Sequence, residues 1–357
     1  MGFFARGDDV DAEQAEALQR IVDGGIPRRA EERLRVLGTN GSMFTSGLSV
    51  NEFALLGRLG PQPLAQVMGA SVVQAGWQYL PALEPGVKVI YQRYGPSVTG
   101  AALRNPFTEA SPSQVRNYRW RWAVVCELDV LTDAWNLARR RALDRLSEEA
   151  VQVGADAVVG VHLHRSDHDL GKGTIEYVVS GTAIRLANSA GAPWPTLTDV
   201  SVQDYWRLMS GGHEPVGFLA ATTVMFGSPP RKTRMRRVRT ATENQELEEL
   251  SRAFHAARDT VRARLLGQVS DAHAVGAVGV EFSHSVRHEK FELASSLQST
   301  SRQGWHIGRF GLPYRVSGGT GVKRKGWVIT MHAAGTAIRS TQRPGTEPVK
   351  TTVRLAR

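Results

Sequence analysis

The chain has 357 residues, 41% of them hydrophobic, with 44 Lys and Arg against 34 Asp and Glu for a formal charge of +10. This length and apolar content suit two cored domains plus an extension, which excludes a fibrous or disordered chain. No apolar run approaches the roughly 20 residues of a membrane-spanning helix, Met1–Phe4 runs straight into Arg6, Asp8 and Asp9 rather than an apolar signal core, and Cys126 is the only cysteine. A cytoplasmic protein without disulfides or Cys-based zinc is therefore expected.

From the N-terminus, residues 9–37 are charged and helix-permissive. Ala12–Val22 and Arg29–Leu37 read as two short helices parted by the breakers Gly24-Gly25-Ile26-Pro27, an arm spanning residues 1–45. Strand candidates follow at Val87–Tyr94 and Tyr118–Leu131. The second includes Cys126 at the end of an apolar run, where a free thiol acts as a small hydrophobe. It also carries Trp120 and Trp122 beside Arg119 and Arg121; such interleaving can stack nucleotides, and it equally suits a core or subunit-interface face.

Ala134, Ala138, Ala142, Leu146, Ala150 and Val153 then recur at three- and four-residue spacing with charges between them, one amphipathic helix with a stripe of mostly small residues. Ala157–Leu163 alternates as a strand, and Ile175–Ile184 pairs with it as a hairpin.

The remainder repeats this plan. Leu48-Ser49-Val50-Asn51-Glu52-Phe53 aligns with Val200-Ser201-Val202-Gln203-Asp204-Tyr205, with Gly60 on Gly212, Pro63 on Pro215 and Val72 on Val224, an offset of 152 residues. In the helix Ala134, Ala138, Arg139, Arg145 and Leu146 fall on Ala253, Ala257, Arg258, Arg264 and Leu265, and Gly160-Val161 falls on Gly279-Val280, an offset of 119. Copy one thus carries 33 extra residues before its helix. Gly-Thr-Ala-Ile-Arg occurs at both Gly181–Arg185 and Gly335–Arg339, and copy two holds 35 extra residues inside its hairpin, a Gly-rich basic insert read as a long loop.

The class is α+β, each unit an antiparallel sheet covered by a helix on one face. The boundaries are an arm at 1–45, repeat 1 at 46–190, repeat 2 at 191–345 and a tail at 346–357. Gly160, Gly181, Gly279 and Gly335 mark close backbone approaches.

Ala138–Val161, with its Gly154-Ala155-Asp156-Ala157-Val158-Val159-Gly160-Val161 turn and strand, and the closing Ser180-Gly181-Thr182-Ala183 together resemble the YbjQ-like family of heavy-metal-binding proteins. Copy two is similar to a diverged member through His273–Val280 and His332–Ala337. The resemblance implies dodecin-like β-α-β-β units, a cytoplasmic setting, and assembly into a closed ring, typically of five subunits. Beside the resemblance stands a physical reason: a single helix-on-sheet unit exposes strand edges and one sheet face, and a ring buries both.

His162, His164, Asp167 and His168 form the best cluster of ligand types, suited to a divalent zinc, nickel or copper ion, although the spacing is no strong zinc signature. Copy two has Glu281, Ser283, His284 and His288 there instead. Arg231, Lys232, Arg234, Arg236, Arg237 and Arg239 form the densest basic run, suited to nucleic acid or an anionic surface, or to a solvated loop. Gly171-Lys172 lacks the earlier glycine of a P-loop, and Gly319-x-Gly321 leads into Lys323-Arg324 rather than a third glycine. No catalytic residues are therefore assigned. The sequence reads as a non-enzymatic, homo-oligomeric scaffold, with metal binding and nucleic-acid or anionic-surface binding as alternatives.

Overall fold

The computed structural model describes residues 15–37, 45–76, 79–80, 89–90, 124–168, 174–186, 193–230, 244, 246–293, 303–307, 313–317 and 322–341. Residues 15–22 are helical, and α1 (Arg28–Leu37) follows the Gly-Gly-Ile-Pro break. The arm is docked on the first unit: Arg33 pairs at 2.8 Å with the buried Glu149, and Arg145 donates to the carbonyl of Ile21 at 2.8 Å.

The first unit begins with α2 (Val50–Leu59). The Ser49 hydroxyl accepts from the Glu52 amide while the Glu52 carboxylate accepts from the Ser49 amide, which satisfies two orphan donors of the first turn, and left-handed Gly60 ends the helix. Next come β1 (Gln62–Gln74), short β2 (Tyr79–Leu80) and β3 (Val89–Ile90), then β4 (Val124–Glu127), α3 (Asp129–Gln152), β5 (Ala157–His168) and β6 (Thr174–Arg185). After β7 (Thr196–Leu197) the second unit supplies α4 (Val202–Ser210), β8 (His213–Ser228), α5 (Glu248–Asp271), β9 (Gly276–Leu293), β10 (Gln303–Ile307), β11 (Pro313–Ser317) and β12 (Val322–Ser340).

The fold is α+β with antiparallel sheets and helices laid across them. One sheet has the order β1-β6-β5-β7, the other β2-β3-β9-β12-β8-β4, and β10 and β11 form a separate hairpin. The two larger sheets and the two long helices alternate as layers. α3 lies on the first sheet and, through its other side, on the second; α5 covers the far face of the second. One core accordingly joins Val67, Tyr177 and Val179 of the first sheet, Leu131, Trp135 and Leu146 of α3, and Val224, Phe226 and Val328 of the second sheet. Another joins Ala253, Ala257, Val261 and Leu265 of α5 to Leu219, Met225, Ile329 and Met331. Leu56 of α2 and Val202 of α4 close a third core on the outer face of the first sheet with Ala157, Val159 and Ile184.

Several expectations need correction. The first strand of unit one is β1, where no strand was expected; of the Val87–Tyr94 candidate only the two-residue β3 is described. Tyr118–Leu131 is strand only as β4 among the described residues, since α3 begins at Asp129. β4 pairs with β8, so it extends the second sheet although it belongs to the first copy in sequence. The insert read as a loop contains the β10–β11 hairpin. The second sheet has a helix on each face, which explains why β8 is buried without a break from Leu219 to Ser228 while β1 alternates.

Candidate functional site: the joint between the two units

The linker between the units forms part of both sheets' surroundings. β7 runs parallel to the start of β5. Gly160, with φ 61°, breaks the register of β5, which frees its amide to donate to the Val200 carbonyl at 3.0 Å while the Val161 amide donates to the Thr198 carbonyl at 2.9 Å. Gly279, with φ 66°, lies at the equivalent break in the pairing of β9 and β12. A side chain in the left-handed region is strained, so glycine suits both bulges.

The linker then crosses to unit two. The Thr198 and Thr336 hydroxyls lie 2.8 Å apart, the Asp199 amide donates to Thr336 Oγ1 at 3.1 Å, and that hydroxyl donates a short hydrogen bond to the Asp199 carboxylate. Burial raises the Asp199 pKa above the usual carboxylate range; the Thr336 hydrogen bond opposes this, Glu281 reinforces it and His162 opposes it. Beside Asp199 opens a cleft of ≈ 560 Å³ whose charged and polar lining includes His162, Arg165, Glu281 and Ser283, with Phe218 on the apolar side. Arg165 spans it, donating to the Ser283 hydroxyl at 2.6 Å.

Deeper in the joint, α3 meets the second sheet through a polar cluster. Tyr177 Oη lies 3.3 Å from His332 Nδ1, and Thr222 Oγ1 lies 2.9 Å from the same nitrogen. Arg139 donates to Thr222 Oγ1 at 3.1 Å, and Asn136 both accepts from the Thr222 amide and donates to its carbonyl. The Trp135 ring meets Tyr177 and His332 edge-on at 5.6 and 5.0 Å. Burial, with the charges of Arg165 and Arg139 behind it, drives the His332 pKa well below the usual value, so the ring is neutral near pH 7.

At the edge of the joint, Arg264 of α5 pairs with Glu127 of β4 at 2.7 Å, and Thr132 and Thr223 also donate to Glu127. Burial raises the Glu127 carboxyl, but the hydrogen bonds from Arg264, Thr223 and Thr132 and the Arg264 charge outweigh it and hold it below the carboxylate range.

His162 and His164 stand opposite Ser180 and Val178, on the outer face of the first sheet, and both are exposed. Asp167 and His168 end the same strand, and their side chains lie outside the described residues. Among the described residues, no group of three or more His, Cys, Asp and Glu side chains could hold a metal ion. The Arg231–Arg239 run, like Trp120 and Trp122, lies outside the described residues. At Gly181 an added Cβ would sit 2.6 Å from Val158 Cγ1, and at Gly335 3.0 Å from the Val278 carbonyl. Among the described residues no helix is long and apolar enough to cross a membrane.

Sequence reasoning missed Asp199, Arg165, Tyr177 and His332. A signal existed for the last: aligning Gly335 on Gly181 puts His332 on Val178, so this histidine belongs to one copy only.

Residues 120–187 match the family model described as "Putative heavy-metal-binding", YbjQ. The chain is 29% identical over 247 residues, 68% of its length and 78% of the relative's, to a protein of Mycobacterium tuberculosis named an encapsulin nanocompartment protein. It is 46% identical over 59 residues, 16% of its length, to a UPF0145 protein of Halobacterium salinarum, and 35% identical over 63 residues, 18% of its length, to one of Thermosipho africanus. The chain spans about half the length of these two shorter relatives, 51% and 56%. No solved structure matches it. The first unit is similar to the YbjQ-like proteins.

Proposed function

We propose that the chain is a non-enzymatic cytoplasmic protein built from two YbjQ-like units, which closes into a homo-oligomeric ring and serves as a scaffold or binding platform. Five chains per ring is the number that the family resemblance implies. The observation that carries the reading is the joint itself: the back of the second sheet seals the helix-bearing front of the first unit, so stacking of units is already the packing mode within one chain. The similarity to a protein named for an encapsulin nanocompartment supports a role within a larger assembly. Negative-stain electron microscopy tests the proposal. Closed annular particles of one size are expected; particles no larger than one chain would refute it.

A second reading is divalent-metal binding through His162 and His164 with Asp167 and His168, favoured by two exposed histidines on one sheet face and by the family description. It predicts a stoichiometric metal in the purified protein that is lost in the His162→Ala/His164→Ala double variant; elemental analysis giving equal metal content in both would remove it. Contact with nucleic acid or an anionic surface through Arg231–Arg239 remains a sequence-level proposal.

A further inference from the structure

The joint within the chain joins unlike surfaces, the front of unit one and the back of unit two, so among the described residues each chain also keeps one front and one back that nothing covers. On the back of unit one, Val72 is 61% exposed, whereas its repeat equivalent Val224 in the joint is 1% exposed; Val50 of α2 is 86% exposed, whereas its equivalent Val202 of α4, packed on the outer face of the first sheet, is 3% exposed. Phe53 and Met68 are likewise exposed, and their equivalents Tyr205 and Ala220 are not. On the front of unit two, Val280 is 39% exposed against 3% for its equivalent Val161, and Phe282 is exposed where Leu163 is packed into the core. The same asymmetry holds for strand edges. β4 pairs with residues 225–228 at the rim of the second sheet, while among the described residues no strand pairs with the outer edge of β1, at whose end lie the equivalent residues 73–76.

Exposed apolar side chains clustered on two faces mark interaction surfaces, and here the repeat says what covers them. We infer that the front of unit two receives the back of unit one from a second copy of this chain, in a head-to-tail contact that repeats the intramolecular joint. This rests on the ring reading and specifies its interface: Val280 and Phe282 of one chain against Met68 and Val72 of the next, with Val50 and Phe53 of α2 reaching the neighbour's outer sheet face as Val202 and Tyr205 do within the chain. A heterologous contact of this kind propagates until it closes. Because every chain brings two units, a closed ring contains an even number of them; a ring of five units cannot form, and five chains make a ring of ten.

The contact differs from the intramolecular joint in one respect that bears on its strength. The positions of Tyr177, Thr222 and His332 are taken by Met331, Ala70 and Val178. The joint between chains therefore lacks the hydrogen bonds among Tyr177, Thr222 and His332, while Arg258 keeps the place of Arg139, so it is expected to separate under conditions that leave each chain folded.

Two variants, each charging one surface, test this by mixing. Val72→Glu blocks the back of unit one and Phe282→Glu blocks the front of unit two; both side chains are exposed within the chain, and circular dichroism checks that each variant keeps the wild-type fold. By light scattering after size exclusion, each variant alone is expected to have the mass of one chain. Their equimolar mixture is expected to reach twice that mass and no more, since one usable front meets one usable back. A wild-type oligomer that persists in both variants, or a mixture that stays monomeric, overturns the head-to-tail joint while leaving the ring reading in place. A monomeric wild type overturns the ring reading and the joint with it.

Discussion

His332 is the residue whose chemistry most constrains the joint. Its imidazole is buried between α3 and the second sheet and faces the Tyr177 and Thr222 hydroxyls, the Trp135 ring, and the Arg139 and Arg165 charges. Its pKa in the folded protein lies below the unfolded value near 6.5, so the unfolded chain binds the extra proton first. Stability is then fully present above about pH 6.5 and falls as the pH drops below it, by up to about 1.4 kcal/mol per pH unit from this group. Urea denaturation of wild type and of His332→Gln between pH 7.5 and 5.5 checks this through the difference in slope, whatever the variant costs at neutral pH. Glycine gives a second prediction at this scale. A Cβ at Gly69 would lie 1.9 Å from the Ala142 carbonyl of α3, whereas at Gly217 nothing lies within 4 Å. Gly69→Ala is expected to destabilise the protein by about 2–3 kcal/mol because the helix must move off the sheet, and Gly217→Ala to fall within about 0.5 kcal/mol of wild type.

At the scale of elements, β1 and β8 are the same strand in two settings. In β8 both faces are buried, one under α3 and one under α5; in β1 only the α3 face is. Val224→Asp should therefore unfold or severely weaken the chain, by about 3 kcal/mol or more, because a carboxylate would be buried without a partner. Val72→Asp, at the equivalent place on β1, should change the denaturation midpoint of the isolated chain little. The paired midpoints measure how much of the second sheet's stability comes from its intramolecular neighbour. This also bears on what could be read from sequence. The stripe of Ala138, Ala142, Leu146 and Ala150 located α3 correctly because small residues at helical spacing need a sheet against them. The second buried side of the same helix, with Leu131, Trp135 and the Arg139 side chain, was illegible, since nothing local distinguishes a polar residue facing water from one that meets another unit. β1 was missed because its buried face sets the small Gly69 and Ser71 beside Val67 while its outer face mixes Gln66 with Met68 and Ala70, so the apolar and polar positions do not separate cleanly by alternation.

For the whole molecule, the duplicated sequence was the strongest signal: the two copies of Gly-Thr-Ala-Ile-Arg and the paired Gly160 and Gly279 were enough to expect two units of one fold. The stacking of those units was not legible, because it depends on β4 crossing to the second sheet and on the linker bonding to β5 at the Gly160 bulge. The candidate site was legible in part. His162 and His164 do share one exposed face, but the cleft beside them is built from Asp199, Arg165 and Glu281, which are brought together only when unit two docks. Among the described residues, the layered order of sheet, helix, sheet and helix leaves an apolar back at one end and an apolar front at the other, and such ends suit a protein that works as an assembly.

Native mass spectrometry of the purified wild-type chain in a volatile buffer shows whether these ends are used for self-assembly. One discrete oligomer is predicted, with a mass equal to a whole number of chains and no retained metal or small ligand. A spectrum dominated by the single chain would contradict self-assembly, and a stoichiometric metal adduct on that chain would move the function to the His162 and His164 face.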